Sequence, residues 1–213
     1  MWTCVLANSS VCSEYNADPF YTDLCWGGCN TSCELANGDS RCEGSIGCCQ
    51  AKMDMMLVCD VSGSMDGSRI EYAKQGMKTL VTEANTTRDK IGLATFNNNG
   101  RLLNSLTFNH SNVILKIDSI FASGGTNVYG GLLVADSQYR TNNVRVHPEA
   151  SPVIVLLCDG DVNQGAVDLA TELKKTTNEG QTNPRIPNGV KIFTIYLLSS
   201  TGEEFLKEIA SED

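Results

Sequence analysis

From Met53 onward the chain switches between two hydrophobic periods. Met55-Met56-Leu57-Val58-Cys59 is an unbroken apolar run of strand length, the pattern of a strand covered on both faces. Ser68-Arg69-Ile70-Glu71 reads as a capping box that opens a helix. Behind it Ile70, Ala73, Met77, Leu80, Val81 and Ala84 fall at helical spacing. Ile91 to Phe96 is a second strand, Asn97-Asn98-Asn99-Gly100 a turn, and Arg101 to Leu106 an antiparallel return. Val113, Ile114, Ile117 and Ile120 mark a short helix, Gly124-Gly125 a tight loop, and Val128 to Tyr139 another helix. Pro152 to Cys158 is a buried strand ending at Asp159. Ala166 to Lys175 is helical, Val190 to Leu198 is the fifth strand, and Glu203 to Ala210 a last helix. Strands alternating with helices in this way predict an α/β fold, a doubly wound and mostly parallel sheet with helices on both faces.

Residues 1–50 break this pattern. Eight of the ten cysteines lie there, at Cys4, Cys12, Cys25, Cys29, Cys33, Cys42, Cys48 and Cys49, among turn residues such as Gly27-Gly28 and Asn37-Gly38. So many cysteines with so few aliphatic residues predict a small disulfide-rich segment in an oxidising compartment, with pairing left open. A zinc site is the rival, because Cys25, Cys29 and Cys33 would share one helical face, but the region has neither CxxC pairs nor histidine. The expected domains are therefore a cysteine-rich segment over 1–50 and an α/β domain over 51–213. Four N-x-S/T sequons, at Asn8, Asn30, Asn85 and Asn109, add little, since a chain this rich in Asn, Ser and Thr produces them by chance.

The chemistry gathers at strand ends. Asp60-Val61-Ser62-Gly63-Ser64 follows the first strand and offers a carboxylate and two hydroxyls. Thr126 follows Gly124-Gly125, and Asp159 follows the strand that ends at Cys158. In doubly wound sheets ligands bind beyond the carboxyl ends of the strands, where these residues fall. All-oxygen clusters suit hard divalent cations, which take about six oxygen ligands. The motifs Asp-Val-Ser-Gly-Ser-Met, Gly-Gly-Thr-Asn and Leu-Leu-Cys-Asp-Gly resemble the metal-ion-dependent adhesion site of von Willebrand factor type A domains. The resemblance covers Lys52 to Asp213 and implies a Rossmann-like sheet. It also implies that Asp60, Ser62, Ser64, Thr126 and Asp159 hold Mg2+, or Mn2+ or Ca2+, with one position kept for a carboxylate from a protein partner. Asp66 and Asp161, close in sequence to this set, read as solvated or supporting acids and not as ligands, and Asp54, at the strand start, as a solvated edge residue.

Each site residue has a plainer role available. Asp60 can close an Asx-turn, Thr126 can cap a helix, and Asp159-Gly160 can be a simple turn. Cys59 and Cys158 each precede a site aspartate. On neighbouring strands their α-carbons would lie about 4.8 Å apart, within disulfide range. Side-chain direction favours two buried free thiols instead. Enzyme signals are weak: His110 and His147 read as solvated loop residues, and there is neither a G-x-S-x-G elbow nor a Walker A loop.

A net charge of −9 argues against a nucleic-acid surface. No apolar stretch reaches the length of a membrane span, and the start lacks the pattern of a signal peptide. The resemblance implies a sixth strand and closing helix after Glu203 to Ala210, where this chain ends. Lys191 to Leu198 is then expected as an open edge that invites self-association. The expected function is a cation-dependent adhesion module at the cell surface or outside the cell. The alternatives are a docking subunit of a multiprotein assembly and a metal-dependent hydrolase.

Overall fold

The computed structural model describes residues 52–140, 150–160, 164–176, 179–180, 188–197 and 203–211. The cysteine-rich segment, His147 and Asp161 lie outside them. The chain divides between Lys52 and Met53, and every element below belongs to the unit Met53–Asp213.

Five strands form one sheet: β1 (Met53–Asp60), β2 (Lys90–Phe96), β3 (Gly100–Thr107), β4 (Ser151–Cys158) and β5 (Lys191–Tyr196). Their order is β3-β2-β1-β4-β5, with β3 antiparallel to β2 and the other pairings parallel. The helices are α1 (Ser68–Glu83), α2 (His110–Asp118), α3 (Val128–Arg140), α4 (Gln164–Lys174) and α5 (Glu203–Ile209). The expected α/β architecture is therefore the one observed.

Alternation along β1 sorts the core into two layers, because successive strand residues point to opposite faces. Met56 and Val58 join Ile154, Leu156, Val128, Leu132, Ala170 and Leu206 on the face covered by α3, α4 and α5. Met55, Leu57 and Cys59 join Ile70, Met77, Val81, Val113 and Ile117 on the face covered by α1 and α2. Close approach of α3 depends on glycine: a Cβ on Gly100 of β3 would sit 2.0 Å from the carbonyl oxygen of Gly130 in α3.

The chain leaves β1 toward β2 on one side, and β4 comes back to pair on the other side of β1. The carboxyl ends of β1 and β4 thus flank the topological switch point, where such sheets open a crevice. Asp60 and Asp159 stand at those two ends.

Four local expectations change. No capping box opens α1: the N-cap is Gly67, at φ 81, and no side chain caps the helix. The chain turns into α1 through a left-handed residue, which glycine adopts without strain, so Ser68 is already helical. His110 is buried at the start of α2, with Nε2 2.9 Å from the carbonyl oxygen of Asp89. Asn109 makes this so, because its side chain accepts from the Asn112 amide and starts the helix there. Asp54 is buried as well, since β1 is central and Asp54 is paired with Lys90 on one side and Pro152 on the other. Finally, the outer edge of β5 is partly covered: the Ser211 amide donates to the Ile192 carbonyl (2.8 Å) and the Ile192 amide donates to Ser211 Oγ (2.9 Å).

Candidate metal centre

Asp60 ends β1 and is fully buried. Its Oδ1 accepts the Ser62 amide at 2.7 Å, which closes an Asx-type turn and brings the next two residues back over the strand end. The turn and the ligand role are thus compatible. Ser62 Oγ lies 2.9 Å from Ser64 Oγ, and Ser64 Oγ donates to Asp159 Oδ1 at 2.9 Å. A continuous polar chain therefore runs from the β1 loop to the end of β4.

The loop that carries Thr126 is tied to the β1 loop by its backbone. The Gly63 amide donates to the Gly124 carbonyl at 2.9 Å, and the Ser123 amide donates to the Val61 carbonyl at 2.7 Å. Among the described residues no hydrogen bond joins the exposed Thr126 side chain to the other four. The β2–β3 turn supports the same loop: Asn98 Oδ1 accepts the Gly125 amide at 2.8 Å and Asn97 Nδ2 donates to the Ser123 carbonyl at 3.0 Å. In sequence these asparagines signal only a turn, and their second role needs the fold.

Two further groups touch the site without having been foreseen. Cys158 Sγ donates to Asp60 Oδ2 at 3.2 Å. Arg69 Nη1 donates to Asp159 Oδ2 and to the Ser64 carbonyl, each at 2.7 Å. A lone basic residue one turn beyond the serine loop was the available signal for Arg69. Asp66 is exposed, as expected of a solvated neighbour.

Burial pushes the Asp60 carboxyl above its usual range; the Ser62 amide opposes that shift and the Asp159 charge adds to it. Burial likewise drives both thiols far up, so Cys59 and Cys158 stay protonated. They are free, and a bridge is excluded by register: Cys59 pairs with Leu157, so Cys59 and Cys158 face opposite layers of the core.

The donor set fits a hard cation. Its side-chain atoms are carboxylate and hydroxyl oxygens, and the charge of the buried Asp60 carboxylate is penalised first by burial and then by Asp159, which a bound cation would relieve. Among the described residues no three His, Cys, Asp or Glu side chains gather as a metal-binding group. Ser62 and Ser64 set hydroxyls beside the Asp159 carboxylate, and oxygen donors of this kind disfavour soft metals.

Residues 54–213 match the family model described as von Willebrand factor type A domain. The chain belongs to that family. This VWA domain is 28% identical over 167 residues to inter-alpha-trypsin inhibitor heavy chain H2 of Mesocricetus auratus, covering 75% of this chain and 17% of that protein. It is 28% identical over 133 residues to the collagen alpha-6(VI) chain of Mus musculus, covering 60% of this chain and 6% of that one. The chain thus spans under a fifth of the length of these relatives. Among solved structures, proximal thread matrix protein 1 from the mussel byssus superposes with a TM-score of 0.63 at 20% identity, covering 76% of this chain and 42% of that one. Another structure of the same protein, with zinc occupying its MIDAS motif, gives a TM-score of 0.59 at 22% identity, covering 76% and 40%. At such identities the likeness is one of fold. The VWA domain is a protein-interaction module. Among the described residues no helix is long and apolar enough to cross a membrane.

Proposed function

We propose that this VWA domain binds a protein partner through a divalent cation, Mg2+ first and Mn2+ or Ca2+ as substitutes, held by Asp60, Ser62, Ser64, Thr126 and Asp159. The observation that carries the reading is the Ser62–Ser64–Asp159 chain of contacts beside the buried Asp60 at the switch point. When bound, the cation supplies a positive charge that a carboxylate of the partner can grip, at a spot where an acidic protein otherwise repels acids. The protein's own part is orientation. The Asx-type turn sets Asp60, the two serines relay that placement to Asp159, and the loop bonds at Val61 and Gly63 hold the segment that precedes Thr126 beside them. His110, the one histidine among the described residues, is buried against the Asp89 carbonyl before β2, away from the carboxyl ends of the strands, and this supports a grip over a hydrolytic centre. The names of the relatives include a collagen chain, and this supports an extracellular or cell-surface setting for the present chain.

A binding screen against matrix proteins, with Mg2+ and with chelator, tests the reading. Chelation and Asp60→Ala are each expected to remove binding while the far-ultraviolet dichroism stays native. Binding that survives both excludes the metal as the contact. Self-association through β5 beyond the Ser211 contact belongs to the same reading, because Phe193 and Ile195 leave apolar surface on that strand, at 53% and 38% exposure. Light scattering should then show mass rising with concentration, and a constant monomer mass removes that part.

A further inference from the structure

The acidic site carries its own cation. Arg69 lies in the first turn of α1, just beyond Gly67. Its Nη1 spans 2.7 Å to Asp159 Oδ2 and 2.7 Å to the Ser64 carbonyl, so one nitrogen ties the serine loop to the end of β4. The Asp159 side chain is 1% exposed and that of Arg69 is 35% exposed. The carboxylate is therefore fixed and dry, while the guanidinium reaches in from solvent on a flexible stem and is able to swing out.

Any cation held by these oxygens shares Asp159 with Arg69. The guanidinium cannot relieve the conflict by losing a proton. Like charges that share one buried carboxylate repel, and the conflict ends either in outward movement of Arg69 or in weaker cation binding. We propose that Arg69 is a built-in competitor for the metal site, which neutralises Asp159 and lowers divalent-cation affinity so that occupancy follows cation concentration. The inference rests on the metal-site reading above. A positioning effect opposes it, because Arg69 also orients Asp159. Orientation is already supplied from the other side, where Ser64 Oγ donates to Oδ1 at 2.9 Å, so the charge effect dominates.

The test is calorimetric titration of MgCl2 and MnCl2 into the full chain at fixed ionic strength. The proteins are wild type, Arg69→Met, Arg69→Gln and Arg69→Lys, with Asp60→Ala as blank. Arg69→Met and Arg69→Gln should bind both ions about tenfold or more tightly than wild type, and Arg69→Lys, which keeps the charge, should stay near wild type. The melting temperature without added cation should fall in Arg69→Met, and its rise on adding Mg2+ should exceed that of wild type. If Arg69→Met loses its fold by circular dichroism, Arg69→Gln makes the same comparison. Equal or weaker cation binding by the neutral variants, with wild type binding normally, overturns the inference and leaves the metal-site reading standing. Absence of divalent-cation binding in all of them overturns both.

Discussion

Asp60→Asn should abolish divalent-cation binding and yet raise the melting temperature at neutral pH in the presence of chelator. The two effects share one cause. Asp60 is fully buried, and burial is the first reason its carboxyl resists ionisation. A carboxyl whose folded pKa is raised holds its proton more tightly in the native state than in the unfolded chain. Its contribution to stability is then intact at low pH and is lost as pH rises from the unfolded value through the folded one. At neutral pH the ionised group is a cost that Asn removes at almost unchanged volume. The Ser62 amide keeps its acceptor in Asn Oδ1, so the Asx-type turn survives. Without cation, wild-type stability should therefore decline with rising pH above the ordinary aspartate range, and the Asn variant should show a flatter profile over that range. Cation binding reverses the ranking. A ligand at a hundredfold excess over its dissociation constant stabilises by about 2.7 kcal/mol, which for a domain of this size is a rise of several degrees. Asp60→Asn should show no such rise. Calorimetric scans at several pH values, with and without Mg2+, measure both halves. A variant less stable than wild type in chelator would show that the charge is compensated by protein groups.

The sheet was legible because its strands are extreme in composition. β1 and β4 are buried on both faces and read as continuous apolar runs, and the helices between them keep a clean period. The grouping of Asp60, Ser62, Ser64 and Asp159 was legible because the two aspartates directly follow such runs and the serines alternate just behind Asp60. What escaped depends on geometry that a linear pattern does not carry. Arg69 looks like any surface residue of an amphipathic helix until the turn at Gly67 aims it at Asp159. Cys158 looks like a core thiol until a one-residue offset between β1 and β4 places it beside Asp60 and away from Cys59. His110 sits between polar residues in sequence and Asp54 is an acid at the head of a strand, and their burial follows from the Asn109 cap and from the central position of β1. Asn97 and Asn98 are turn residues by every local rule, and their support of the Thr126 loop appears only once β2–β3 and α3 are packed.

Tyr139→Ala should cost about 4 kcal/mol, the usual penalty for truncating a fully buried aromatic side chain. Typical domains have a total stability of about 5–15 kcal/mol, so the variant should be marginal at best. Tyr139 is fully buried in the layer beneath α3. Its hydroxyl donates to the Val153 carbonyl at 2.6 Å and lies 3.2 Å from the Asp54 carbonyl, which joins α3 to the first residues of β1 and β4. Tyr139→Phe separates the two contributions. It keeps the ring and loses the hydroxyl, so it should cost about 1–1.5 kcal/mol. Urea denaturation with equal m-values measures both. A Phe variant as unstable as the Ala variant would assign the stability to the hydroxyl bridge and not to packing. The position of Tyr139 also predicts what does not change. Its partners sit at the amino ends of the strands, and the oxygen cluster sits at the carboxyl ends. Mutations well separated and without shared partners act additively. Tyr139→Phe should therefore lower stability while its Mg2+ affinity stays within about twofold of wild type, because the Asx-type turn and the serine contacts that orient the cluster lie in loops that this side chain does not touch.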